Sequence, residues 1–320
     1  MVDPLSEMVE LLQPEALRSK VVSGAGLWRV DRVENGQPFY CAMLEGSALL
    51  EVQKHAPITL KVGDFVLIPA ACGFTMSDVA GVQNDNVDPL TVTMLPGETR
   101  HGNPQGIVNA RILVGHFGFA SPDADLLVRL LPQLVHVRNE RRLTSLVQLA
   151  TEEALTERPA RAAVLARLLE VMLLEALRSV SGESAPPGVL RGLSDPRLAT
   201  AIRLLHAEPT KDWTVDEMAR EAALSRSVFF DRFRRTIGIS PREYLITWRM
   251  SLAKNLLLRR GDLGLQEVAE RVGYRSASAL STAFSRVVGI PPSAYAEQLA
   301  NLSDLPHARE AGQVALRAEI

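Results

Sequence analysis

Trp213-Thr214-Val215-Asp216-Glu217-Met218-Ala219 begins a pattern that returns at Leu265-Gln266-Glu267-Val268-Ala269. In the first copy Glu217-Met218-Ala219 leads to Ala223-Leu224-Ser225, Phe229, Phe233 and Gly238-Ile239-Ser240-Pro241. In the second, Glu267-Val268-Ala269 leads to Gly273-Tyr274, Ser276, Leu280, Phe284 and Gly289-Ile290-Pro291-Pro292. The offset is 50 residues in the first half of the unit and 51 in the second. Internal repetition fixes architecture before any local reading does.

Each copy predicts two helices and a tight turn. Thr214 and Glu217 have the spacing of a capping box, in which each side chain satisfies an orphan amide of the other's residue. Ala223 sits at the turn, and Ser225 caps a second helix whose Phe229 and Phe233, four apart, face inward. That leaves Ser227, Phe230, Asp231 and Arg234 on the outward face, spaced i, i+3, i+4, i+7. This is helix-turn-helix spacing, in which the second helix enters the DNA major groove. One copy alone would equally suit a helical bundle with no nucleic-acid role. Two copies are far more specific, and an amphipathic helix bridges them. It starts at Ser240-Pro241, a cap followed by proline at the first helical position, and runs through Tyr244, Leu245, Trp248, Met250, Ala253, Leu256 and Leu257.

The stretch resembles the DNA-binding domain of AraC/XylS-family transcription regulators. The resemblance rests on Trp213-Thr214, Ala223 to Ser227, Phe233-Arg234-Arg235 and Gly238-Ile239-Ser240-Pro241. It continues in Tyr244-Leu245, Trp248-Arg249-Met250, Glu267-Val268-Ala269, Val272-Gly273-Tyr274, Phe284 and Gly289 to Pro292. It implies helix-turn-helix units over about 214–235 and 265–286, within a domain spanning 190–300, and a tail from 301 to 320.

The outward face of the first copy, Arg226, Ser227, Phe230, Asp231 and Arg234, is chemically varied. Shifted by 51, it becomes Ser278, Ser281 and Thr282, with Ala277 and Arg275 beside them. Hydroxyls tolerate either base type, whereas Phe can touch a thymine methyl and Asp can accept from a cytosine amino group. Arg226, Arg232, Arg235, Arg249 and Arg275 read as phosphate contacts or solvated charge. Asp231 reads either as a base contact or as a partner that orients Arg234 or Arg235.

Charge agrees with a partner of opposite sign. The 320 residues carry a net charge of −2, yet residues 190–300 hold 17 Lys+Arg against 12 Asp+Glu. A basic domain joined to an acidic one suits phosphate binding by one half only. Two cysteines, Cys41 and Cys72, exclude a disulfide framework and fit a reducing cytosol. With no signal pattern and no apolar run of membrane-spanning length, a cytoplasmic protein without a membrane partner is expected.

Upstream, residues 5–18 predict a short amphipathic helix. From Gly26 onward come short β-prone runs: Leu27–Val33, Phe39–Leu44, Ala48–Val52, Ile58–Leu60, Phe65–Ile68, Thr91–Leu95 and Ile107–Phe119. Such spacing predicts a sandwich or barrel. Leu44-Glu45-Gly46-Ser47-Ala48 reads as a turn between strands, and Lys61-Val62-Gly63-Asp64 as a turn feeding a buried strand. Residues 81–106 are rich in turn formers and read as long, mobile loops. After Pro122, three apolar stripes predict helices, one around Leu126–Leu134, one from Leu143 to Leu155 and one from Val164 to Ala176. Their wide apolar faces suit either covering the barrel or pairing two chains. Residues 181–189 read as a linker, and Asp195-Pro196 as the cap of the next helix.

The β-rich region, about 20–120, resembles the cupin-type sensor domain found ahead of many AraC-family DNA-binding domains. The fold class expected is therefore α+β in two domains. A cupin-like β-sandwich with following helices (1–180, the helices about 123–180) precedes an all-α tandem helix-turn-helix domain. Cupin enzymes hold a metal through histidines near these two turns, where this chain has Phe39, Cys41 and Phe74. Aromatic and thiol groups cannot replace a His/carboxylate site, and His55, His101, His116, His136 and His206 show no paired spacing. No metal and no cofactor are expected. Phe39, Cys41, Met43 and Phe74 read as ordinary core or as an effector pocket, and Cys41 with Cys72 as a redox pair. The partners implied are double-stranded DNA, a small-molecule effector and a second copy of the chain, with RNA polymerase if the protein activates. A cupin-type enzyme fused to a DNA-binding domain is the alternative.

Overall fold

The computed structural model describes residues 3–34, 36–80, 92–95, 97–119, 124–156, 158–180, 187–259 and 263–303. The chain packs as two compact units, Leu5–Ala199 and Thr200–Arg234 with Ile239 onward. The expected linker lies outside the described residues over 181–186, as do the tail from 304 and the turn-rich 81–91.

In the first unit, α1 (Pro4–Leu12) is followed by β1 (Pro14–Ala25), β2 (Arg29–Val33), β3 (Phe39–Val52), β4 (Ile58–Lys61), β5 (Asp64–Ile68) and β6 (Gly73–Ser77). Then come β7 (Val92–Leu95), β8 (Glu98–Gly102), β9 (Val108–Phe119), α2 (Ala124–Val128), β10 (Val135–Arg138), α3 (Arg141–Leu155), α4 (Arg161–Ser179) and α5 (Val189–Ser194). The ten strands form one curled sheet, ordered β10-β5-β3-β9-β1-β8-β7, with β4 and β6 on β3 and β2 on β6. Pairing is antiparallel except between β1 and β8.

β3 makes the curl. Its first half pairs with β5 and β9, its second with β4 and β6. The register slips between Met43 and Glu45, and Gly46 follows at φ +73°. A Cβ on Gly46 would collide with the Asn109 carbonyl, so only glycine lets β9 come this close. The expected turn at 44–48 is instead a bulge that bends one continuous strand.

Three further expectations change. The N-terminal helix stops at Leu12, because Gln13 takes φ +48°, and residues 14–25 become the strand β1. Part of the turn-rich segment forms β8, anchored by its parallel register from Val21↔Glu98 to Ala25↔Gly102. The stripe at 126–134 is a helix only to Val128. Pro132 cannot continue a helix, and the Val135/Val137 alternation pairs with β5 instead.

α4 packs on β1, β5 and β10, and α3 packs on β1 and α4, so the apolar helix faces cover the sheet's outer side. This explains why β3 is buried on both faces from Phe39 to Met43. Among the described residues no helix is long and apolar enough to cross a membrane.

The helical half comprises α6 (Pro196–Ala207), α7 (Val215–Glu221), α8 (Arg226–Ile237), α9 (Pro241–Arg259), α10 (Leu265–Arg271), α11 (Ala277–Val288) and α12 (Pro292–Ser303). The Asp195 carboxylate accepts from the backbone amides of Arg197 and Leu198, as the Asp-Pro pair implies. The Thr214/Glu217 capping box is present, and Ser240 with Glu243 repeats it at the start of α9.

Candidate nucleic-acid interface and sensor cavity

The repeat is visible in three dimensions. Phe229, Phe233, Leu280 and Phe284 are fully buried, which turns the opposite faces of α8 and α11 outward. Phe233 meets Tyr244 edge-on at 5.7 Å, and Phe284 meets Tyr295 the same way at 5.4 Å. Each such pair contributes about 0.5–1.5 kcal/mol beyond its buried area. The unit therefore extends through Tyr244 and Tyr295, a 51-residue match that the sequence reading did not use. The two copies differ in satisfaction: Tyr244 Oη lies 2.7 Å from His206 Nε2, while Tyr295 Oη finds no partner among the described residues.

The turn explains the change of offset. Leu224 N donates to Ala219 O in one copy and Tyr274 N to Ala269 O in the other, still 50 apart. The caps Ser225 and Ser276 are 51 apart, so the extra residue is Arg275. Its side chain is 92% exposed at the start of α11, with Asp212 Oδ2 at 3.4 Å. Both second helices are also braced from the first: Arg226 pairs with Asp216 at 3.2 Å, and Gln266 Oε1 accepts from Ala277 N at 2.9 Å.

On α8, Arg226, Ser227, Asp231 and Arg234 are exposed and Phe230 is half-buried. Asp231, read either as a base contact or as a partner that orients Arg234 or Arg235, forms no ion pair with either arginine among the described residues. On α11, Ser278 and Thr282 are exposed, with Ala277 and Ser281 half-buried. Thr282 Oγ1 donates back to Ser278 O at 3.0 Å, leaving its lone pairs outward.

Arg249 is not the phosphate contact or solvated charge expected. It is buried, donating from Nε to Pro209 O and from Nη2 to Lys211 O, each at 2.7 Å. It holds the start of the helix-turn-helix core against α9.

In the other unit, strand register sorts the inward residues into rows. Phe39 lies opposite His116, Cys41 opposite Val114 and Met43 opposite Ile112; Lys20 and Val22 continue the last two rows on β1. Phe39, Cys41, Met43 and Phe74 share one buried cluster, with the Phe39 and Phe74 rings 4.2 Å apart. A cavity of about 50 Å³ opens beside them. Phe39 and Phe74 line it together with Trp28, Met76 and Ile112, whereas Cys41 and Met43 are packed in the core and do not reach it. Sequence reasoning missed Lys20, Arg32 and His101, which also line it. The first two stand at inward register positions that alternation alone would have marked as apolar.

Both cysteines are free; Cys41 is buried and Cys72 exposed. Burial pushes the Cys41 thiol up to about 12, with Asp64 adding to the effect, so it is not a thiolate at neutral pH. Where a cupin metal would be held, the chain presents Phe39, Cys41 and Phe74. Among the described residues no three His, Cys, Asp or Glu side chains gather as a metal needs. This donor set does not fit a metal.

The family described as Cupin matches residues 3–182, and the family described as Helix-turn-helix domain matches residues 218–298. An AraC-like transcription regulator of Streptomyces lividans is 35% identical over 307 residues, covering 92% of this chain and 98% of its own. The chain belongs to the AraC-like transcription regulators. A second such regulator, from Streptomyces antibioticus, is 34% identical over 92% of this chain and 98% of its own. The regulator AlkR of Acinetobacter baylyi is 27% identical over 93% and 100%. Among solved structures, the DNA-binding domain of the global transcriptional factor AdpA, in complex with a target DNA, is 35% identical. It covers 36% of this chain and 100% of that one, with a TM-score of 0.32. As an AraC-like regulator, the chain pairs a cupin domain with a DNA-binding helix-turn-helix domain.

Proposed function

We propose that this AraC-like regulator changes transcription in response to a small molecule held, without a metal, in the cupin cavity. It is not an enzyme. The cavity beside Phe39 and Phe74 carries this reading: it is concave, mostly apolar and equipped with a few polar groups, as effector sites are. A ligand suits the site better than a redox signal, because the buried Cys41 thiol stays protonated.

On the DNA side, α8 and α11 enter successive major grooves. Arg226, Ser227, Phe230, Asp231 and Arg234 contact one segment, and Arg275, Ala277, Ser278, Ser281 and Thr282 the next. The chain acts as a homodimer, and contacts RNA polymerase where it activates. Exposed Leu149, Val164 and Val171 on α3 and α4 support self-association.

The test fills the cavity. Val30 on β2 lines it and is only half-buried, so Val30→Trp should occlude it without disturbing the fold. Genomic DNA bound by the purified chain identifies the regulated promoter. Reporter output there should lock in one state, with base preference unchanged. A variant that regulates as the natural chain does would refute the effector reading.

A further inference from the structure

Two links join the helix-turn-helix copies, and α9 is the one that the sequence shows. α9 packs against α10, α11 and α12. It meets the first copy through rings: Phe233 stands edge-on to Tyr244 at 5.7 Å, and His206 of α6 stacks on Trp248 at 3.9 Å. Apolar contact is non-directional, so the rings hold the first copy close without fixing its tilt.

The second link is the loop 208–213, which leads into α7. It is closed on itself. Trp213 Nε1 donates to Glu208 O at 3.0 Å, Trp213 N donates to Lys211 O at 2.8 Å, and Lys211 Nζ lies 3.7 Å over the Trp213 ring. This braced loop rests on the turn of the second copy. A Cβ on Gly273 would come 2.7 Å from Pro209 O and 2.8 Å from Thr210 Cα, so two backbones meet with no side chain between them. Arg249 of α9 ties the junction together: Nε reaches Pro209 O and Nη2 reaches Lys211 O, each at 2.7 Å, with the guanidinium 5.6 Å from the Tyr274 ring. Burying a cation against neutral carbonyls is costly, and an apolar side chain would fill the space at less cost. What the planar fork adds is direction, because it holds two carbonyls at once.

We propose that Arg249, Gly273 and the loop 208–213 form a clamp that fixes the pitch between α8 and α11, and so sets the number of base pairs between the two DNA segments they read. This rests on the two-groove reading above and adds what measures the distance between the grooves. Arg249 is a positioning residue: it acts through the loop and not on DNA. α7 follows the loop after the Thr214 cap, and the Arg226–Asp216 pair ties α8 to α7, so the loop carries the first recognition helix with it. One extra base pair moves a groove by ~3.4 Å and turns it by about 35°, a change that two clamped helices do not follow.

The test measures dissociation constants of the full chain for a duplex carrying the site it selects from genomic DNA, and for the same duplex with one base pair inserted between the two footprinted segments. The insertion should weaken the natural chain by about ten-fold or more. Arg249→Gln should shrink that penalty by about three-fold or more, with base preference within each segment unchanged. Arg249→Lys keeps the charge and reaches one carbonyl, so its penalty should fall between the two; it carries the test if Arg249→Gln does not fold. A role for Arg249 in stability alone would weaken both duplexes equally and leave the penalty at the natural value, which would overturn the proposal. A natural chain indifferent to the insertion would overturn it too. Two footprinted segments with an unchanged penalty sink the clamp alone, whereas a single segment sinks the two-groove reading with it.

Discussion

The Arg249 guanidinium passes so close to Gly273 that a Cβ on that glycine would come within 2.8 Å of Nη2. The Pro209 carbonyl closes the other side at 2.7 Å, and Gly273 itself takes φ +81°. The second turn is thus fixed by space and by backbone. The first turn places Ala223 at φ +52°, a conformation that costs an L-residue about 1 kcal/mol.

Substitutions at these equivalent turns should therefore have opposite signs. Gly273→Ala should destabilise by roughly 1–3 kcal/mol, since left-handed strain adds to the collision. Ala223→Gly should be neutral or stabilising by up to about 1 kcal/mol, because relief of strain outweighs the added freedom of the unfolded chain. Urea unfolding of the full chain checks both. Equal losses at the two turns would show that backbone strain does not distinguish them.

Two arginines that look alike in the sequence should separate in a salt titration. Arg249→Gln loses the charge and the fork that reaches Pro209 O and Lys211 O, so stability should fall while the salt dependence of DNA binding keeps its slope. Arg226→Gln should leave the fold intact and lower the slope of log affinity against log salt by about 1. A reduced slope with Arg249→Gln would return it to the phosphate contacts.

His101 makes stability depend on pH in a defined window. Its folded pKa, about 4, lies below the unfolded value near 6.5. The unfolded chain therefore takes up a proton first as pH falls. The contribution is fully present above about 6.5 and is lost as pH drops towards 4. Chemical unfolding at intervals across that range should show a slope that His101→Gln reduces. An unchanged slope would mean that His101 does not titrate as its burial beside Lys20 and Arg32 demands.

The site's legibility differed between the two halves for a physical reason. In the helical half the repeat, the caps and the buried Phe pairs are all local, so helix order and outward faces follow from spacing. The burial of Arg249 is not local: it depends on carbonyls 38 and 40 residues away. In the β-rich half, neighbours are distant in sequence throughout. β1 is a strand because Leu113 and Glu98 flank Val21, and no periodicity in residues 14–25 announces that. Phe39 and Phe74 were visible as replacements for histidines. Lys20, Arg32 and His101 were not, since only register puts them on the inner face.

The proposal that the cupin cavity works without a metal is checkable as well. Elemental analysis of the purified chain should find no stoichiometric iron, manganese or zinc, and chelators should leave regulation unchanged. One tightly bound equivalent would contradict the reading of Phe39, Cys41 and Phe74.

Footprinting on the DNA that the chain selects tests the central claim most directly, with the natural chain compared against Phe230→Ala, Asp231→Ala and Ser281→Ala. Two protected major-groove segments should appear on one face of the duplex, about one helical turn apart. Phe230→Ala or Asp231→Ala should relax base preference in one segment only, by roughly 1–3 kcal/mol, and Ser281→Ala should weaken the other by less. Protection of a single segment, or equal losses in both segments from any one substitution, would contradict two unequal recognition helices.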